Sequence, residues 1–69
     1  MSNVTGSLLS KRQRECLVLV SEGKTSLQIA GLLNLSYRTV NQHIGAACAR
    51  LGARSRAQAV AEAVMRGEI

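Results

Sequence analysis

Sixty-nine residues make one small domain and no more, and at that size folding buries only about 60% of the surface the open chain exposes. One Tyr, no Phe and no Trp leave a thin aliphatic core with little room for a substrate pocket. No stretch approaches the ~20 apolar residues of a membrane span, and nine Lys+Arg against four Asp+Glu give a net charge of +5, for which a polyanion, nucleic acid first, is the natural partner.

Residues 1–7 are polar and uncharged, unlike a signal peptide. They are expected to form a flexible lead-in or linker remnant before a single domain over 8–69. The absence of Pro, together with the rarity of β-branched residues alternating with polar ones, favours helix over strand.

Ser10-Lys11-Arg12-Gln13 has the form of a capping box, in which a hydroxyl accepts from the N3 amide and the N3 Gln reaches back to the cap. A helix over 11–22 follows, stopped by Gly23. Thr25-Ser26-Leu27-Gln28 repeats the pattern before a helix over 26–33, which ends at Asn34, a residue that tolerates the left-handed conformation. The connection Asn34-Leu35-Ser36 is too short for an antiparallel pair and suits the roughly 90–120° crossing of a helix-turn-helix, with Leu35 plugging the corner.

Ser36 caps the third helix, 37–51, and Gly52 stops it. At 100° per residue Tyr37, Val40, Ile44, Ala47, Cys48 and Leu51 fall in one arc, the expected core stripe. Opposite them stand Arg38, Asn41, Gln42, Gly45, Ala46 and Ala49, a slim face without a carboxylate. Such a face fits a major groove about 12 Å wide, where Asn and Gln amides bond to adenine and Arg to guanine. His43 lies at the edge of both faces, either a hydrogen-bonded buttress between helices or a phosphate contact when protonated.

Ser55-Arg56-Ala57-Gln58 is a third box, opening a helix over 56–66 that Gly67 ends. Its apolar arc, Ala57, Ala59, Val60, Ala63 and Val64, is widened by Ala61 and Met65. Packing on two sides within one domain and a symmetric dimer are both open readings of that excess.

The four acids are Glu15, Glu22, Glu62 and Glu68, and between the second and third of them only Lys24, Arg38, Arg50, Arg54 and Arg56 carry charge. No Ser-His-acid set or carboxylate pair can be drawn from them, so the chain is expected not to be an enzyme. Cys16 and Cys48 lack CxxC spacing and have one His for company, short of the about four ligands zinc needs. They read as free core thiols of a reducing cytoplasm, and neither metal nor cofactor is expected.

Leu9-Ser10-Lys11-Arg12-Gln13-Arg14-Glu15-Cys16-Leu17, then Gly23-Lys24-Thr25-Ser26 with Ile29-Ala30, Leu35-Ser36, Thr39-Val40, His43, Leu51-Gly52 and Arg54-Ser55-Arg56-Ala57-Gln58-Ala59-Val60, resemble the LuxR-type (GerE-like) helix-turn-helix domain. The likeness runs from about Leu8 to Ile69. It implies an all-α, four-helix domain of a bacterial transcriptional regulator whose third helix reads double-stranded DNA. Arg38-Thr39-Val40-Asn41-Gln42-His43-Ile44 and Gln58-Ala59-Val60-Ala61-Glu62-Ala63 are most similar to the quorum-sensing branch, which senses a small molecule through an N-terminal domain absent here.

By position, the resemblance implies base-facing roles for Asn41, Gln42 and Gly45, and phosphate contacts from Lys24, Thr25, Ser26, Arg38, Thr39, Arg54 and Arg56. A homodimer interface is implied at Ala57, Val60, Ala61, Val64 and Met65, and RNA polymerase is a further partner. Family members often carry Lys or Arg where this chain has Asn41 and Gly45. The competing reading is a helical protein-interaction module with only residual DNA contact.

Overall fold

The computed structural model describes residues 7–69, so all but the last residue of the expected lead-in lies outside the described residues. Four helices follow in order: α1 (Lys11–Ser21), α2 (Ser26–Leu33), α3 (Tyr37–Leu51) and α4 (Arg56–Met65). No helix among them is long and apolar enough to cross a membrane. The α1 and α4 ends fall one residue short of the expected bounds, because Glu22 and Arg66 serve as C-caps.

Each start is capped by a hydroxyl accepting from the N3 amide: Ser10 from Gln13, Thr25 from Gln28, Ser36 from Thr39 and Ser55 from Gln58. The box is complete at Ser10 and Thr25, whose amides donate to the Gln13 and Gln28 side chains at 3.0 and 2.9 Å. At Ser55 only half of it forms. Gln58 Oε1 accepts instead from the Arg54 amide at 2.7 Å. Ser55 has φ −146°, against −70° and −80° at Ser10 and Thr25, and this more extended backbone carries its N–H away from Gln58.

All four helices end alike. A residue of positive φ (Gly23, Asn34, Gly52 or Gly67) turns the chain. The next amide then bonds back to a carbonyl of the last turn: Lys24 to Leu19, Leu35 to Ala30, Ala53 to Cys48 and Glu68 to Ala63. This closure satisfies carbonyls a helix end otherwise orphans.

Helix α3 touches all three others, and the core lies on its two flanks. Leu9, Leu17, Ala47, Leu51, Ala59 and Ala63 bury one cluster between α1, α3 and α4. Cys16, Ile29, Val40 and Ile44 bury a second between α1, α2 and α3. Half-buried Cys48 packs against both, and Leu35 packs on the second, filling the corner as expected. Burial pushes the Cys16 thiol above its ordinary pKa, and both cysteines are free.

Tyr37 corrects the expected stripe, being 52% exposed. Helical side chains lean toward the N-terminus. For the first residue of α3 that direction leads off the helix end and away from the core.

The two ends of the domain are stapled by one carboxylate. Glu68, with a side chain 7% exposed, accepts from the Leu8 amide at 2.9 Å, the Ser7 hydroxyl at 3.0 Å and the Leu9 amide at 3.3 Å. Arg14 stands 3.9 Å away and donates to the Glu68 carbonyl at 3.0 Å. Arg50 Nη1, from the last turn of α3, donates to the Leu8 carbonyl at 2.9 Å.

The Leu8 amide above all holds the Glu68 carboxyl below its ordinary pKa, helped by Ser7, Leu9 and Arg14 and opposed by burial. A folded pKa below the unfolded one contributes stability that is full above the unfolded value and disappears as pH falls through the folded value. Thermal unfolding followed from about pH 7 to about pH 2 will therefore show an acid-side loss that Glu68→Gln flattens. The variant will be less stable than the parent at neutral pH by about 1–3 kcal/mol, the size of charge-assisted hydrogen bonds lost.

Candidate nucleic-acid interface

Arg38, Asn41, Gln42 and Gly45 are spaced by three and four residues and so share one face of α3. Arg38, Gln42 and Gly45 are exposed, and Asn41 is half-buried. Thr39, also half-buried, accepts a 2.9 Å hydrogen bond from the Ser36 hydroxyl.

Two other helices meet this face at one atom. Ser26, the first residue of α2, donates its hydroxyl to Asn41 Oδ1 at 2.7 Å. Arg56, the first residue of α4, donates to the same oxygen at 3.3 Å. The N-termini of α2 and α4 are thereby brought to the same stretch of α3, each with its unpaired amides and partial positive charge. Exposed Lys24 and Thr25 arrive with Ser26, and exposed Arg54 with Arg56. Ser26 itself is 7% exposed, so its hydroxyl faces Asn41 and not the surface where a phosphate contact was expected.

Three of the four acids are taken up in ion pairs away from this face, and Glu22 is exposed at the end of α1. Glu15 pairs with Arg12 at 3.0 Å, Glu62 with Arg66 at 3.4 Å and Glu68 with Arg14 at 3.9 Å. The two more exposed pairs, Arg12–Glu15 and Arg66–Glu62, add little stability, and all three neutralise cations on α1 and at the end of α4. Lys24, Arg38, Arg54 and Arg56 have no carboxylate partner among the described residues. Lys11 and Arg50 also lack a carboxylate partner among the described residues, but Lys11 opens α1 and Arg50 donates to the Leu8 carbonyl. The other four form a cationic rim around a carboxylate-free helix face.

The sequence reading missed Tyr37 as a surface residue: it is exposed and directly precedes Arg38 in the chain. Its place directly after a capping Ser was the available signal. His43 is half-buried, and among the described residues no hydrogen bond reaches its imidazole, so the expected buttress is not hydrogen-bonded. On α4, Ala57 and Ala61 are exposed, with Val64 57% and Met65 74% exposed, while half-buried Val60 packs on the core. The apolar excess of α4 is therefore not covered by its own domain.

Gly45 is helical, and a Cβ added there meets nothing within 4 Å. Alanine costs about 1 kcal/mol less than glycine inside a helix. Gly45→Ala will thus raise the melting temperature by roughly 4–8 °C, as followed by the helical circular-dichroism signal. A fall in melting temperature would show that the position is not open.

The sequence profile of "Bacterial regulatory proteins, luxR family" matches residues 7–63. The chain is 41% identical over 63 residues to the transcriptional activator protein VanR of Vibrio anguillarum, covering 91% of this chain and 26% of that protein. It is 44% identical over 62 residues to the spore germination protein GerE of Bacillus subtilis, covering 90% of this chain and 84% of that one. The solved structure of the transcription factor GerE superposes with a TM-score of 0.86 at 35% identity, covering 90% of this chain and 92% of that one. The chain thus spans about a quarter of the activator's length but most of the germination protein's.

Proposed function

We propose, from the premise that this chain belongs to the luxR family of bacterial regulatory proteins, that it binds double-stranded DNA as a domain of a transcription regulator, with α3 in the major groove. The observation that carries the reading is the rim of unpaired cations around the carboxylate-free face of α3. Asn41, Gln42 and Gly45 face the bases in this reading. Lys24, Thr25, Arg38, Thr39, Arg54 and Arg56 hold phosphates, with the α2 backbone amide of Ser26 in place of its hydroxyl. Phosphate contacts position the domain and base contacts specify the sequence.

Two copies meet through Ala57, Ala61, Val64 and Met65, with Val60 behind them, and read a two-fold symmetric site. The exposed apolar strip on α4 supports this. The domain is cytoplasmic and not an enzyme. A quorum-type small-molecule signal sensed by a separate domain, and RNA polymerase, belong to the whole regulator. The names of the relatives as transcriptional activators and a transcription factor agree with this assignment.

Selection of bound sequences from a random duplex pool, with affinity measured at two salt concentrations, tests the reading. A two-fold symmetric motif and a steep loss of affinity with salt are expected. Affinity flat with salt, or no duplex binding, would sink it and leave the protein-interaction module. Sedimentation at several protein concentrations tests the α4 dimer separately.

A further inference from the structure

The side-chain amide of Asn41 has two acceptor lone pairs and two donors, and the fold uses them unequally. Its Oδ1 accepts from Ser26 Oγ at 2.7 Å and from Arg56 Nη2 at 3.3 Å. A guanidinium has donors only, so the atom beneath Arg56 must be the oxygen and not the nitrogen. Both lone pairs of that oxygen are engaged by neighbouring helices. The amide nitrogen makes no hydrogen bond among the described residues and keeps both N–H groups.

An Asn that pairs bidentately with adenine needs its oxygen to accept from N6 while its nitrogen donates to N7. Asn41 has no acceptor to offer. Guanine presents two acceptors, N7 and O6, on its major-groove edge, which two N–H groups can satisfy. We propose that Ser26 and Arg56 lock Asn41 as a donor-only reader, so that the base beneath it is guanine and not adenine. Ser26 is then a positioning residue: it touches no DNA through its side chain yet sets which base is read. The inference rests on the DNA-binding reading above.

The test is duplex selection with the parent chain and with Asn41→Ala, Asn41→Asp, Ser26→Ala and Ser26→Thr. The base position whose preference vanishes in Asn41→Ala is the one Asn41 reads. There the parent is expected to favour guanine over adenine by about tenfold or more, the discrimination of one bidentate contact. Asn41→Asp keeps the bonds from Ser26 and Arg56 but leaves only an acceptor, and will move the preference to cytosine, whose N4 donates.

Ser26→Ala will erode the guanine preference at that position alone, and Ser26→Thr will restore it through its hydroxyl. A role confined to folding would change affinity or melting temperature without altering one base preference. Adenine at the Asn41-dependent position, or a Ser26→Ala motif identical to the parent's, overturns the inference while DNA binding stands. Failure of the parent to bind any duplex overturns both, and shows in the parent arm alone.

Discussion

Replacing Arg38 by glutamate will lower affinity for duplex DNA by roughly 100-fold at physiological salt, about 3 kcal/mol. Arg38 is exposed, lies one turn before Asn41 and Gln42, and has no carboxylate partner among the described residues. On the proposed reading the exchange removes one phosphate contact and places a like charge against the DNA backbone. Deleting the contact also flattens the dependence of log affinity on log salt by about one unit. Folding moves the other way. Arg38 is the second residue of α3, where a carboxylate favours the helix dipole by about 0.3–1 kcal/mol. Weaker binding with an unchanged or slightly raised melting temperature is therefore the expected pair of results. Undiminished binding, measured by fluorescence anisotropy, would place the DNA on another face.

The largest loss of stability will come from Leu17→Ala. Leu17 is fully buried in the cluster shared by α1, α3 and α4, and three of its companions there are Ala47, Ala59 and Ala63. Alanines carry no rotatable side chain to swing into a void, so the cavity persists and the cost lies around 3–4 kcal/mol. A domain of this length commands only about 3–10 kcal/mol in all. The melting temperature will fall by more than about 10 °C, and DNA binding at higher temperature will fall with the folded fraction. A loss under about 1 kcal/mol in urea titration would mean that the helices close the gap.

Local chemistry was legible in the sequence. Four hydroxyl caps, four left-handed stops and the three-residue turn depend on residues within one or two turns of each other, and they stand where expected. The misreadings came where backbone geometry outside the pattern decides. Helical periodicity places Tyr37 on the core stripe, but periodicity assumes a turn beneath the residue, and the first residue has none. The Gln58 side chain had two amides within reach, and the φ of Ser55 selected Arg54. Nothing local could show that Ser26 and Arg56, each 15 residues from Asn41, converge on it. The Glu68 staple, which spans 59 to 61 positions, was equally invisible, since an isolated Glu near a chain end reads as solvated.

That staple also determines from where anything tethered to the domain must reach. Leu8 is held by Glu68 beyond α4 and by Arg50 in the last turn of α3, twelve residues, or about 18 Å of helix, from Arg38. A polypeptide joined upstream of Ser7 would leave the far end of α3, near the helix that carries Val64 and Met65. Asn41 lies nine residues before Arg50, about 13 Å of helix away, so a tether needs roughly four extended residues to reach it from that anchor. If two copies pair through α4 as proposed, a tethered partner would act on their spacing and tilt, which is to say on the distance between the two half-sites they can span.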